Sequence, residues 1–198
     1  MQIQVYLKAP RPGSVKTRLA QSLGDAEACR IYIQLVKRQL AALPRDADVA
    51  LHFAPADAAA EIHTTFGEKY PLIPQCEGHL GDRLANGIAN AFQDDAETVC
   101  VIGADCPDLN ASHFLEAEAL LASGSDLVFG PARDGGYYLL ALNRFIPELF
   151  TDIPWSSPQT LSASLAVAEK MKLKVTQLDV LQDVDDLADW QQVAHRFS

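Results

Sequence analysis

TVCVIGADCPDL, residues 98–109, is an almost unbroken apolar run that ends abruptly in glycine, acid and proline. A strand that is hydrophobic at successive positions must be covered on both faces, as in a parallel sheet sandwiched by helices. A strand with one wet face would alternate instead. Residues 98–105 are therefore predicted as a central strand. Upstream, QIQVYL (2–7) and DVALHFA (48–54) read as strands. Between them a helical pattern beginning near Val15 runs through Leu19, Leu23, Cys29, Ile33, Val36 and Leu40, with a break at Gly24 and Asp25. Residues 56–66 read as a short helix and 70–76 as a proline-interrupted edge strand. Residues 80–92 read as a helix with Leu80, Leu84, Ile88 and Phe92 on one side.

Downstream, 112–122 is predicted as a helix. Two strands, 126–132 and 136–142, flank Arg133, Asp134, Gly135 and Gly136, where the Asp-Gly step is a hairpin signal. A helix from Pro158, a strand over 173–181 and a closing helix over 186–197 complete the chain. No internal repeat or linker interrupts this alternation. The expected fold class is α/β: a single domain, residues 1–198, with an open, mostly parallel sheet, helices on both faces and an antiparallel element.

Composition bounds the function. Hydrophobic residues make up 48% and charged residues 21%, a balance of globular and not disordered chains. No apolar run approaches the ~18 residues of a membrane span, and MQIQVYLKAP lacks the pattern of a secretion signal. A cytoplasmic protein is expected. Cys29, Cys76, Cys100 and Cys106 form no CxxC pair and have no histidine at zinc-ligand spacing, so reduced, mostly buried thiols are expected. The net charge of −10 argues against nucleic-acid and anionic-membrane partners. Residues 1–24 nevertheless carry Lys8, Arg11, Lys16 and Arg18 and no acid. A cationic loop on an acidic protein suits a small polyanion such as a phosphate chain; a solvated basic face is the alternative.

Ligands of open α/β sheets bind beyond the carboxyl ends of the strands. Three chemically loaded segments fall there. In KAPRPGSVKTRL (8–19), Gly13 lets backbone amides approach a phosphate, Ser14 can cap the following helix, and the cations can add charge-assisted hydrogen bonds. Neither GxxxxGK[ST] nor GxGxxG is present. In VIGADCPDL (101–109), Asp105 can hold a hydrated Mg²⁺ that also touches phosphates, whereas Asp108, Asn110 or Ser112 can cap the next helix. In LQDVDDLADW (181–190), capping accounts for about two of Asp183, Asp185, Asp186 and Asp189 and leaves room for one at a metal. Arg83 is a further candidate for a phosphate or acceptor contact. His52, His63, His79, His113 and His195 are scattered and given ordinary roles.

The ordered set KAPRPGSVKTRL, GADCPDL, GPARDGGYYLLAL, IPWSS and LQDVDDLADW resembles the nucleotide-diphospho-sugar transferase superfamily with its GT-A-type fold. Within it the set is most similar to a bacterial branch related to 2-phospho-L-lactate guanylyltransferase, and more distantly to the molybdenum-cofactor guanylyltransferases. The resemblance implies that Gly13, Lys16 and Arg18 embrace nucleotide phosphates and that Asp105 binds the metal. It further implies that Asp185, with Asp183 competing, completes the metal site and that the Asp134 turn faces the acceptor. The paired glycines of the usual loop are absent, and the central motif reads Asp-Cys-Pro-Asp in place of DxD.

The expected function is metal-dependent nucleotidyl transfer from a nucleoside triphosphate to a small phosphorylated acceptor. Mg²⁺ or Mn²⁺ would sit on Asp105 and Asp185, while Lys16 and Arg18 neutralise developing charge. Glycosyl transfer from a nucleotide sugar, with Asp134 as base, is the alternative. A non-catalytic nucleotide or sugar binder is the third.

Overall fold

The computed structural model describes residues 1–197. Strands β1 (Gln2–Lys8), β2 (Asp48–Ala54), β3 (Leu72–Pro74), β4 (Val99–Ile102), β5 (Leu127–Pro131), β6 (Tyr137–Leu142) and β7 (Val175–Gln177) form one sheet in the order β3-β2-β1-β4-β6-β5-β7. Among the described residues every strand pairing is parallel except those of β6 with β4 and β5. The helices are α1 (Thr17–Leu23), α2 (Asp25–Ala41), α3 (Ala59–Phe66), α4 (Leu80–Gln93), α5 (Ala111–Ala122), α6 (Thr160–Lys170) and α7 (Leu187–Val193). None among the described residues is long and apolar enough to cross a membrane.

Period-two alternation in the central strands explains the covering. Cys100 and Ile102 of β4 and Leu139 and Ala141 of β6 pack with Tyr32 and Val36 of α2 and Phe114 of α5. Val99, Val101, Leu140 and Leu142 point the other way, onto Leu84 and Ile88 of α4 and Ala168 of α6. A third cluster joins Leu19, Ile31 and Leu35 to Val184 and Val193. Each fully buried Leu, Ile or Phe contributes roughly 1.5–3 kcal/mol relative to exposure, so two covered faces hold the sheet without a disulfide. All four cysteines are free; Cys76 is only half-buried.

Three local expectations are corrected. Ser14 does not cap a helix: its hydroxyl donates to the Arg11 carbonyl at 2.7 Å, and α1 starts after Lys16, which adopts φ 46° and ψ 47°. The central strand stops at Ile102, because Gly103 onward leaves the sheet. The last strand is reduced to Val175–Gln177, after which the chain leaves the ladder except for one bridge between Ala132 and Leu181.

Candidate active site

The chain runs from β1 outward to β2 and β3, then returns to place β4 on the other side of β1. The crevice beyond the carboxyl ends of β1 and β4 is thus the point where the connections diverge. The loop after β1 turns back through hydrogen bonds from Arg11 N to Ala9 O and from Ser14 N to Arg11 O. It delivers Lys16 to the crevice in the left-handed conformation, which costs a residue with a Cβ roughly 1–2 kcal/mol. The loop after β4 is held by one buried side chain. Gln39 of α2 donates to Gly103 O at 2.5 Å and accepts from Cys106 N at 3.1 Å, bracketing Asp105.

The acidic segment after β7 arrives along the edge of β5. Leu178 N donates to Phe129 O, Leu181 N to Pro131 O and Val184 N to Asp105 O. Its four acids then divide. Asp186 and Asp189 form the capping box of α7, and Asp189 Oδ2 also accepts from Asp185 N. Asp183 and Asp185 are left for the crevice.

Three side chains from distant parts of the chain meet there. Lys16 Nζ lies 2.6 Å from Asp105 Oδ2 and 3.0 Å from Asp185 Oδ1, with Arg18 Nη1 3.4 Å from Asp185 Oδ2. The Lys16 side chain is 6% exposed. Burial pulls its pKa down, but the charges of Asp105 and Asp185 outweigh this and hold it above the ordinary lysine value. Asp183 behaves oppositely. Burial first, then the nearby Asp105 and Asp134 carboxylates, push it up to about 8, and its Oδ1 is buried without a hydrogen-bond partner. Among the described residues no group of three or more His, Cys, Asp or Glu side chains is arranged to hold a metal by itself.

Above these groups opens a cleft of about 600 Å³, lined by Lys8, Lys16, Arg18 and Arg83 together with Asp105 and Asp185. Arg83 is steadied by Gly78 O at 3.0 Å and Gln75 Oε1 at 3.4 Å. A second cavity of about 190 Å³ adjoins it and is lined by Asp134, Asp183, Tyr137, Tyr138 and Trp155 among others. Tyr6, Leu80, Gly103 and Ser156 line both.

The expected residues therefore separate. Lys8, Lys16, Arg18, Arg83, Asp105 and Asp185 share the large cleft, and Asp134 lies in the neighbouring cavity with Asp183. Arg11 and Gly13 are not part of the cleft lining. Arg11 is turned onto α3, with Nε 2.9 Å and Nη2 2.5 Å from the Glu61 carboxylate and Nη2 3.3 Å from Asp57. Gly13, at φ 80°, serves the turn, and a Cβ there would stand 3.4 Å from Asp25. Cys106 is 2% exposed within the core, and burial, then Asp183 and Asp105, raise its pKa; it packs as a neutral thiol.

Sequence reasoning missed Tyr6 and Gln75 and quoted Trp155 and Ser156 within IPWSS without giving them a role. The alternating strand 2–7 carried the signal for Tyr6, since Gln4 and Tyr6 face α4: Gln4 Nε2 donates to Gly87 O at 2.9 Å and Tyr6 Oη to Arg83 O at 3.1 Å.

Residues 37–157 match the family described as "Uncharacterized protein conserved in bacteria (DUF2064)". That span includes Asp105, Asp134 and Trp155 and excludes Lys16 and Asp185. Over 151 residues the chain is 29% identical to the 2-phospho-L-lactate guanylyltransferase of Methanocaldococcus jannaschii, covering 72% of this chain and 60% of that relative's length. A crystal structure from Desulfovibrio desulfuricans G20, provisionally named a nucleotide-diphospho-sugar transferase, superposes with a TM-score of 0.91 at 31% identity, over 98% of this chain and 86% of that one. A CMP:2-keto-3-deoxy-manno-octonic acid synthetase complexed with CTP shares the fold at a TM-score of 0.62 and 11% identity, over 98% and 96% of the two chains.

Proposed function

The chain belongs to the DUF2064 family of bacterial proteins, and we propose that it is a nucleotidyltransferase, joining a nucleoside monophosphate unit from a triphosphate to a small acceptor. The observation that carries the reading is the convergence of Asp105 and Asp185 on one cationic centre beneath a cleft rimmed by Lys8, Arg18 and Arg83. At about 600 Å³ the cleft is of the size that holds a small organic ligand. Its lining of lysines and arginines suits a chain of phosphates, and a guanylyltransferase among its relatives points the same way.

Asp105 and Asp185 fit a divalent cation. Oxygens of both lie within 3.0 Å of the point held by the Lys16 ammonium, and Mg²⁺ needs only one or two carboxylates when phosphates and water complete its shell. Bound to these two carboxylates beside Lys16, Mg²⁺ or Mn²⁺ would supply charge neutralisation at phosphate oxygens. The chain's own groups do the rest. Lys16, Arg18 and Arg83 bind and orient the phosphates, and exposed Gly103 leaves the strand end open to close approach. The acceptor approaches from the cavity of Asp134 and Asp183. An acceptor oxygen forms a bond to the α-phosphorus while the bond to the bridging oxygen breaks and pyrophosphate leaves. Such catalysis is positioning and electrostatics and needs no covalent nucleophile. A cytoplasmic setting, where nucleoside triphosphates are held, goes with this reading.

Thermal unfolding with each nucleoside triphosphate, with and without Mg²⁺ or Mn²⁺, tests it. A donor at a hundred times its dissociation constant stabilises the protein by ~2.7 kcal/mol. One triphosphate should give that shift, depend on the metal and on Asp105, and yield pyrophosphate in turnover. Glycosyl transfer is the second reading, favoured by Asp134 standing at the adjoining cavity as a candidate base. Nucleoside diphosphate released from a nucleotide sugar, with no pyrophosphate from any triphosphate, would select it. Nucleotide binding indifferent to Asp105→Ala and Asp185→Ala would instead make the protein a non-catalytic binder.

A further inference from the structure

The two adjoining cavities differ in charge and in hydrogen-bonding sense. Lys8, Lys16, Arg18 and Arg83 all line the larger one. The smaller one is lined by no lysine, arginine or histidine, and its ionisable acids are Asp134 and Asp183. Several backbone amides beside it are also committed. Beside the start of α6, Gln159 N donates to Ser157 Oγ, Thr160 N to Ser157 O and Leu161 N to Gly135 O. In the facing turn, Gly135 N donates to Ala132 O and Gly136 N to Asp134 Oδ1. The Thr160 hydroxyl is directed to Pro154 O and Ser157 O.

Beside these, Asp183 Oδ1 and Trp155 Nε1 are buried without a hydrogen-bond partner, and the Asp134 carboxylate stands exposed at the turn. The walls between them are apolar or aromatic: Leu84, Val101, Tyr137 and Trp155. At about 190 Å³ the cavity is smaller than the roughly 300 Å³ at which drug-sized sites begin, so it suits a small molecule.

We propose that this cavity binds the acceptor as a small hydroxyl compound carrying no phosphate and no carboxylate, a neutral polyol or an amino alcohol. The inference rests on the nucleotidyl-transfer reading in giving the larger cleft to the donor, and it departs from the phosphorylated acceptor expected from the sequence. A phosphate placed here would meet the exposed Asp134 carboxylate and no cation. A hydroxyl would donate to the Asp134 and Asp183 oxygens and accept from Trp155 Nε1, an ammonium would donate to Asp134, and the carbon skeleton would cover the aromatic walls. In transfer the hydroxyl oxygen bonds to the α-phosphorus, its proton passes to Asp134, and pyrophosphate leaves.

The chain has two tryptophans, so Trp190→Phe, remote from the cavity, leaves Trp155 as a reporter on its wall. Its emission is titrated with matched pairs, glycerol against glycerol 3-phosphate and ethanolamine against phosphoethanolamine, and with 2-phospho-L-lactate. The unphosphorylated member of a pair should bind more tightly by roughly a hundredfold, since one like charge a few ångströms away is worth that much at the effective dielectric of a protein surface. Asp134→Asn, which keeps the acceptor for Gly136 N, should remove most of that hundredfold preference. Tighter binding of the phosphorylated members or of 2-phospho-L-lactate overturns the inference, as does the absence of any response to the neutral and amino compounds. Triphosphate binding to the same variant separates the two readings. If triphosphate binds and an anionic acceptor is preferred, the acceptor class alone is wrong. If no triphosphate binds, nucleotidyl transfer is wrong, and the titration still decides what the cavity accepts.

Discussion

Lys16 Nζ lies 2.6 Å from Asp105 Oδ2, although the two residues are 89 positions apart and sit on loops after different strands. The ammonium is almost wholly buried, whereas Asp105 and Asp185 keep 33% and 40% side-chain exposure. Water can therefore solvate the carboxylates if the lysine is removed, whereas an uncharged side chain gives up its contact with the phosphates. We expect Lys16→Met to lower kcat/KM on the order of 10²–10³ while shifting the unfolding midpoint little. Steady-state kinetics beside thermal unfolding checks this; a collapse of stability in step with activity would make Lys16 structural.

Gln39 is 2% exposed and satisfies both a carbonyl and an amide on either side of Asp105. Gln39→Leu would fill the space yet strand Gly103 O and Cys106 N. At 1–3 kcal/mol for each buried unsatisfied group, partly relieved because Gly103 is exposed, the loss should be roughly 2–4 kcal/mol. Urea denaturation measures it. Metal-dependent nucleotide binding should weaken as well, because the loop carrying Asp105 loses its clamp.

What was legible in the sequence follows the range of the interactions concerned. The central strand and the hairpin about Asp134 rest on a local apolar run and a local turn; the hairpin is where it was expected, and the strand keeps Val99–Ile102 of the predicted 98–105. The start of α1 was misplaced, because Lys16 is fixed by acids 89 and 169 positions away and no local pattern records that. The acidic cluster was divisible only in part. A capping spacing marks Asp186 and Asp189, whereas Asp183 and Asp185 are brought to Asp105 by the bond from Val184 N. Arg11 looked like its neighbours in a basic loop, and Glu61 on another helix decided its direction.

Arg11 and Arg83 offer a paired comparison. Arg11 is occupied by Glu61 and Asp57 outside the cleft lining, and Arg83 lines it. Arg11→Gln should leave nucleotide affinity within experimental scatter. Arg83→Gln should weaken it about tenfold, the scale of one charge-assisted hydrogen bond. Calorimetric titration of both variants decides, and the reverse order would return Arg11 to the phosphates.

Gly135 has φ 89°, and a Cβ there would stand 2.1 Å from Pro158 O. The turn is docked on α6 by the bond from Leu161 N to Gly135 O. Gly135→Ala should therefore cost roughly 1–3 kcal/mol in backbone strain alone, and should move Asp134 from the smaller cavity. Lower stability with unchanged donor affinity and impaired acceptor use is the expected pattern. Equal loss at both substrates would show that the turn supports the whole cleft.

His52 gives the stability a sign in acid. It is 3% exposed on β2, stacked on Tyr6 at 4.8 Å, with Nε2 unpartnered, and Gln75 donates to its carbonyl. Burial pushes its pKa down to about 4 from 6.5. Between those values the unfolded chain binds the extra proton, so stability rises with pH and is lost as pH falls from 6.5 toward 4. At 1.36 kcal/mol per unit the full loss from this residue is roughly 3 kcal/mol. His52→Phe keeps an aromatic ring against Tyr6 and cannot take the proton. Its stability should fall less steeply than that of the parent between pH 6.5 and 4, and parallel curves would show that His52 opens to water before it titrates.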